Sequence, residues 1–285
     1  MDEFIMEKDK VKINLGPVQE TLLLPLWARA KETEKEKPFV IDTYARDIIK
    51  SIDYDFSKIE ADPEIACNQQ LMWAIRAYNF DDMVRKYLEQ ISNAVVINIG
   101  AGLDTTFQRV DNGSVSWINI DLPDVATLRQ KLIPNSRREV TIAKSVFDFS
   151  WIDDISQLTK DHSILFMAAG VLFYFKSHEV KILFNKLARA YPDTHFIFDA
   201  ISSKLWVFLT NWAIMRKSGL KPEVRLKWHL RKASNLRKWI DNIKVIEEYS
   251  MFSKIPSTEG LSKNLIRDLR IAESINIYSI FHVQF

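Results

Sequence analysis

The chain has 285 residues but only 7 glycines and one cysteine. Seven glycines are about 2.5% of the chain, against roughly 7% in an average protein. Two of them, Gly100 and Gly102, fall within three residues of each other. A lone thiol, Cys67, excludes an intramolecular disulfide and any multi-cysteine metal cluster. The five histidines show no HxxxH or HxE spacing, which argues against a metal site. No apolar run reaches the roughly 18 residues of a membrane-spanning helix. The charged start, Met1–Lys10, lacks the apolar core of a signal peptide. These absences point to the cytoplasm. No self-similar period supports a repeat architecture.

What is present is globular: 47% hydrophobic and 27% charged residues. The net charge of +2 conceals an asymmetry. Residues 204–238 carry ten Lys or Arg and one acid, Glu223, so this block is +9 and the remainder −7. Trp206, Trp212, Trp228 and Trp239 lie in or beside it.

Residues 1–90 read as an N-terminal helical part, with apolar stripes at Leu22, Leu23, Leu26, Trp27 and Ala30 and again from Leu71 to Leu88. From Ala94 the pattern changes. Short apolar runs at 94–99, 115–120, 140–143, 164–168 and 195–199 alternate with helical stretches such as 125–132 and 178–191. That alternation predicts an α/β fold, a doubly wound, mostly parallel sheet with helices on both faces. The core spans 91–202. The basic block, 203–240, reads as a helical lid inserted after the fifth strand. One helix carries Leu205, Trp206, Phe208, Leu209 and Trp212; a second has the stripe Leu226, Leu230, Ala233 and Ile240. Residues 241–285 contribute closing strands, the last partly alternating and suited to antiparallel pairing.

Strand, Gly100-Ala101-Gly102, then helix is an arrangement for nucleotides, because glycine permits a tight turn and close backbone approach. The dinucleotide fingerprint wants Gly or Ala where Thr105 stands, which disfavours a nicotinamide-dependent oxidoreductase. Asp121, 21 residues beyond Gly100, is placed to accept from two ribose hydroxyls. Asp148 in Phe147-Asp148-Phe149 follows the next strand, where a carboxylate can accept from an adenine amino group beside an apolar ring.

The stretch Val95–Val110, VVINIGAGLDTTFQRV, resembles the cofactor loop of the leucine carboxyl methyltransferase family, which includes methyltransferases of bacterial polyketide pathways. Ile120–Pro123 with Lys131, Ala169–Tyr174, Leu26–Ala30 and Asp42–Ala45 resemble further segments of it. The resemblance implies a class I methyltransferase fold with a seven-stranded sheet. The implied activity is S-adenosylmethionine-dependent O-methyl transfer, leaving S-adenosylhomocysteine. Arg76 would then pair with the cofactor's carboxylate. Gly100, Ala101, Gly102 and Asp104 would form the loop, Asp121 and Leu122 would hold the ribose, and Asp148 and Phe149 would frame the adenine. Ala169 stands where the family has a glutamate beside the cofactor, and Asn119 where it often has an acid. The first departure keeps open a catalytically inactive binding module of the same fold.

A carboxylate acceptor is already ionised and needs no base, whereas an alcohol or phenol usually does. Tyr174 and His178 are the candidates for catalytic groups at the fourth strand's end, and neither has an evident partner in sequence. The scarcity of a base favours a carboxylate or activated hydroxyl, on a small molecule or on a carrier-bound or acidic substrate attracted by the basic lid. Nothing in the block is specific for nucleic acid.

Overall fold

The computed structural model describes residues 10–217 and 224–285. The charged start up to Asp9, and Lys221 and Glu223 of the basic block, lie outside the described residues.

Seven strands form the sheet: β1 Ala94–Ile99, β2 Ser116–Asp121, β3 Glu139–Ala143, β4 Ser163–Ala168, β5 His195–Ile201, β6 Lys244–Ser250 and β7 Tyr278–Gln284, in the order β3-β2-β1-β4-β5-β7-β6. The first five are parallel, and β7 runs antiparallel to both β5 and β6. The order reverses between β1 and β4, so the loops after these strands open a crevice at the strands' carboxyl ends, where α/β folds bind ligands.

Nine helices accompany the strands among the described residues: α1 Leu23–Thr33, α2 Thr43–Ser51, α3 Pro63–Gln90, α4 Thr106–Val110, α5 Pro123–Leu132, α6 Ser150–Ser156, α7 Ser177–Ala190, α8 Lys204–Lys217 and α9 Lys263–Ser274. Single helical turns at Pro17–Glu20 and Ser57–Glu60 stand apart from them. The apolar runs build β1 because side chains alternate across the sheet. Val95, Ile97 and Ile99 face α6 and α7, with Trp151, Leu183 and Phe184. Ala94 and Val96 face α3 and α4, with Ile75, Val84 and Phe107. Helix α3 is a single 28-residue element where the sequence allowed one or two.

The lid departs from its expected form. Helix α8 follows β5, but Leu226–Ile240 does not make a second helix. Residues 224–230 run extended, pairing at Ile201–His229, and 233–238 form a 3-10 turn. Burial alternates strictly: Val224, Leu226, Trp228 and Leu230 point in, while Arg225, Lys227 and His229 point out. Leu226 and Leu230 are four apart, a spacing that fits period 3.6 and period 2 alike. Pairing with Phe173 and Ile201 decided between them, through Lys227 N–H to Phe173 O (2.6 Å) and Leu230 N–H to Ile201 O (2.8 Å).

At the amino end of β5, His195 Nδ1 and His282 Nε2 of β7 are 2.7 Å apart, with Tyr87 against the His195 ring. Burial, with His195 beside it, pushes His282 down to about 4; burial and Lys244 lower His195. Folding therefore favours the neutral pair. Its contribution is complete above the ordinary histidine value of 6.5 and is lost as pH falls from there towards 4. Wild type should lose about 2–3 kcal/mol over that range. In His282→Gln the loss should shrink, as read from urea unfolding at pH 7 and pH 4.5.

Candidate active site

The glycine loop after β1 is held by buried charge. Gly100 and Gly102 have φ of +66° and +50°. A Cβ on Gly100 would lie 2.7 Å from Val171 Cγ2, so neither position has room or backbone freedom for a larger residue without rearrangement. The turn directs three successive carbonyls inward. Arg129 Nη1 donates to Gly102 O (3.1 Å) and Asp104 O (2.6 Å), and Arg29 Nη2 donates to Leu103 O (2.9 Å).

Both arginines are buried and need partners. Arg29 Nε donates to Asp42 at 2.7 Å. Asp42 also caps α2 by accepting from Ala45 N–H at 2.8 Å. Arg109 joins Asp42 (2.8 Å) to Asp81, to which it donates two bonds at 2.8 and 2.9 Å. Burial raises the Asp42 carboxyl, but Arg109 and Arg29 outweigh it and hold the group at about 2. Thr105, whose size excluded the dinucleotide fingerprint, is fully buried and donates to Asp42.

A second chain runs through the sheet. Asn98 donates to Asp104 (3.1 Å), Asn119 donates to Glu139 (2.9 Å), and Arg129 donates to the same Glu139 oxygen (2.7 Å). Asn119 also accepts from Trp117 Nε1 at 3.1 Å. An acid there could not donate to Glu139, which is the physical reason for an amide at this position.

Above this floor lies a cavity of about 1130 Å³. It is bounded by residues 17–25, α3, the glycine loop, Asp121–Leu122, Ala169–Phe175 and α8. Asp121 accepts Gly102 N–H and Leu122 N–H, both at 2.7 Å, and burial raises its pKa. A carboxylate has about four acceptor positions, so two remain for a diol. Arg76 lies over Gly170, where a Cβ would come within 2.3 Å of its Nη1. It stacks on Trp73 at 4.5 Å. Its ion-pair partner Asp199 stands 3.9 Å away, beyond hydrogen-bond distance, and leaves its donors for another acceptor. Asp199 itself is fixed by Gly170 N–H at 2.7 Å. Arg76 does not pair with Asp81, which Arg109 occupies.

Of the residues singled out from sequence, Arg76, Gly100, Ala101, Gly102, Asp104, Asp121, Leu122, Ala169 and Tyr174 all line this cavity. Asp148, Phe149 and His178 do not. Asp148 is exposed, its carboxylate turned to the start of α6, where it accepts from Ser150 N–H (3.2 Å) and Oγ (2.7 Å). Phe149 packs on Phe147 under Lys186. Ser145 and Val146, just upstream, line the cavity instead. His178 is exposed in the first turn of α7. Tyr174 Oη lies 3.3 Å from Thr21 Oγ1, and burial raises its phenol. The phenol is therefore protonated at neutral pH and able to donate a hydrogen bond. None of the described basic residues of 204–238 lines the cavity. Sequence reading passed over Trp73, Asn98, Arg129 and Asp199, and met Arg29 and Asp42 only as parts of family-like segments, with no role assigned. Several carry a signal in hindsight: a polar residue inside an apolar run, as in Ala94–Ile99 or Phe196–Ile201.

An open sheet of this order, a glycine loop at its switch point, and a carboxylate and an arginine with spare hydrogen-bonding capacity beside it fit an S-adenosylmethionine-dependent class I methyltransferase. The residues fit that cofactor: Asp121 suits its ribose and Arg76 its carboxylate. The leucine carboxyl methyltransferase family matches over residues 23–188, more than half of the chain, and the chain belongs to that family. Among curated relatives it is 28% identical to the tetracenomycin polyketide synthesis O-methyltransferase TcmP of Streptomyces glaucescens, covering 84% of this chain and 85% of that one. It is 25% identical to the S-adenosyl-L-methionine-dependent methyltransferase dpfgK of Gibberella zeae, covering 94% of each. A solved DUF574 family protein from Streptomyces avermitilis shares the fold, with a TM-score of 0.54 at 12% identity over 91% of this chain and 95% of that one. Among the described residues no cluster of three metal-ligating side chains occurs, and no helix is long and apolar enough to cross a membrane.

Removing Arg109 leaves buried carboxylates short of their shared cation. Arg109→Leu should cost about 3–5 kcal/mol in urea unfolding. Arg109→Lys should recover only part, because an ammonium cannot reproduce the fork that spans Asp42 and Asp81.

Proposed function

We propose that the enzyme is an O-methyltransferase whose acceptor is a small, largely apolar aromatic molecule presenting a carboxylate or an acidic hydroxyl. The observation that carries this reading is the composition of the cavity wall opposite the glycine loop. Trp73, Phe173, Tyr174, Trp206, Trp212 and Tyr278 contribute to it, and no lysine or histidine does among the described residues. Aromatic walls suit a planar apolar acceptor. Without a histidine, the oxygen that attacks is best one already ionised at neutral pH. The relative TcmP, an O-methyltransferase of polyketide synthesis, is in keeping with this. None of the described basic residues of the segment lines the cavity, so they are not the substrate's handle.

S-adenosylmethionine supplies an electrophilic methyl group when bound. The chain's own residues do the positioning, which is where most of the acceleration of a direct displacement originates. Asp121 and Arg76 anchor the two ends of the cofactor, and the glycine loop lets the backbone approach it. Tyr174 donates a hydrogen bond at the boundary between cofactor and acceptor. Trp206 and Leu209 of α8 cover the cavity and exclude water. Ala169 brings no carboxylate to this place. The buried Asp199, one strand away, provides the negative charge that balances Arg76.

Asp121→Ala should weaken cofactor binding by about 100-fold in calorimetry, from loss of charge-assisted bonds. With an aromatic carboxylic acid panel, S-adenosylhomocysteine should form at a rate that is flat from pH 6 to 9. A rate climbing tenfold per pH unit would assign a phenol, and tight cofactor binding without turnover on any acceptor would assign a binding module.

A further inference from the structure

Over its described side chains, residues 204–213, helix α8 carries large apolar residues on most of its sides, and only some of them are covered. At 100° per residue, Trp206, Thr210 and Ala213 share one side and line the cavity. Val207 and Asn211 share another and face the protein. Val207 packs with Ile201 and Leu226, and Asn211 clamps the extended segment by bonding Leu226 N and O at 2.9 Å each. The remaining side carries Leu205 and Phe208, one turn apart, which are 62% and 66% exposed. Leu209, at the cavity rim, is 37% exposed. Single exposed apolar residues are ordinary; a helix presenting a row of large ones is not.

This row has a charged border. The Asn211 clamp and the Ile201–His229 bridge lay residues 224–230 alongside α8. Alternation turns Lys227 and His229 outward, and Arg231 and Lys232 follow, all exposed. Lys204, at the start of α8, is also exposed and lies near enough to His229 to help burial lower its pKa. Around the helix the sequence of surfaces is therefore cavity rim, protruding leucine and phenylalanine, then a basic stripe. Protruding Leu and Phe flanked by Lys and Arg are what a helix lying in a lipid headgroup region presents: the apolar tips enter the acyl boundary and the cations meet anionic headgroups.

We propose that the α8 face, Leu205 and Phe208 with the stripe Lys204, Lys227, Arg231 and Lys232, docks the enzyme on an anionic lipid surface, bringing the rim of the cavity to that surface. The charge complementarity selects this occupant, and the proposal does not depend on which acceptor the cavity takes.

The test is sedimentation of the full chain with vesicles of phosphatidylcholine containing 30% phosphatidylglycerol, against phosphatidylcholine alone. Wild type should bind the anionic vesicles and not the neutral ones, with affinity falling as salt rises. Leu205→Ser/Phe208→Ser and, separately, Lys227→Glu/Arg231→Glu should each weaken binding by roughly tenfold or more. None of these residues lines the cavity, so cofactor binding and circular dichroism should match wild type in both variants. Failure of wild type to bind anionic vesicles would overturn the proposal, as would equal binding by folded variants. A wild-type dimer in sedimentation velocity that Leu205→Ser/Phe208→Ser dissociates would instead assign the face to a second copy of the chain.

Discussion

The glycine loop depends on two buried arginines. A loop that turns through two left-handed glycines leaves carbonyls that no strand or helix can satisfy. Arg29 and Arg129 accept that task, on Leu103 and on Gly102 and Asp104. Buried guanidinium groups are tolerable only when paired, so Asp42, Glu139, Arg109 and Asp81 follow as a consequence. This network joins α1, the start of α2, α3, α4 and α5 to the switch point of the sheet. The family motif Gly-Ala-Gly-Leu-Asp-Thr with Arg109 is thus read largely from below. Its glycines serve the cavity, and its Thr105 and Arg109 serve the foundation.

That division organises the site as a whole. The floor is polar and preorganised, with Asp121 and Arg76 presenting unused hydrogen-bonding capacity into the cavity. The aromatic wall comes from α3, α8, the start of β7 and the turn after β4, and residues 17–25 add aliphatic side chains to it. The floor is built on strand ends that cannot shift without unpairing the sheet. Much of the wall is built on helices, which can vary while the floor is kept. Asp199 links the two ends, because it holds Gly170 through the backbone and faces Arg76 across the gap.

Much of the site was legible because strand ends converge in a parallel sheet. Glycines and acids at the ends of β1 and β2 had to meet, and Gly100, Gly102 and Asp121 did. Asp148 follows β3 in the same register, yet it faces solvent. An aspartate two residues before Ser150 can accept from the start of a helix, and that local bond won. His178 likewise lies outside the cavity lining, since a helix start just beyond a strand end is as well placed to face water as the crevice. Arg109 was legible only as part of the family's loop motif. It is a hub because Asp42 and Asp81, distant in sequence, and Asp104, five residues before it, converge on it.

By itself, the sequence determined the alternation of strand and helix, the glycine turn after β1 and the departure from the dinucleotide fingerprint at Thr105. These follow from periods and residue sizes that act within a few residues. The tertiary structure decided which charges face inward, why Asn119 is an amide, and that Leu226–Leu230 is extended. It also decided that the described cations of the basic block lie off the cavity lining. Each depends on a partner far along the chain, and a spacing of four residues, or a lone arginine, is equally consistent with either outcome until that partner is in place.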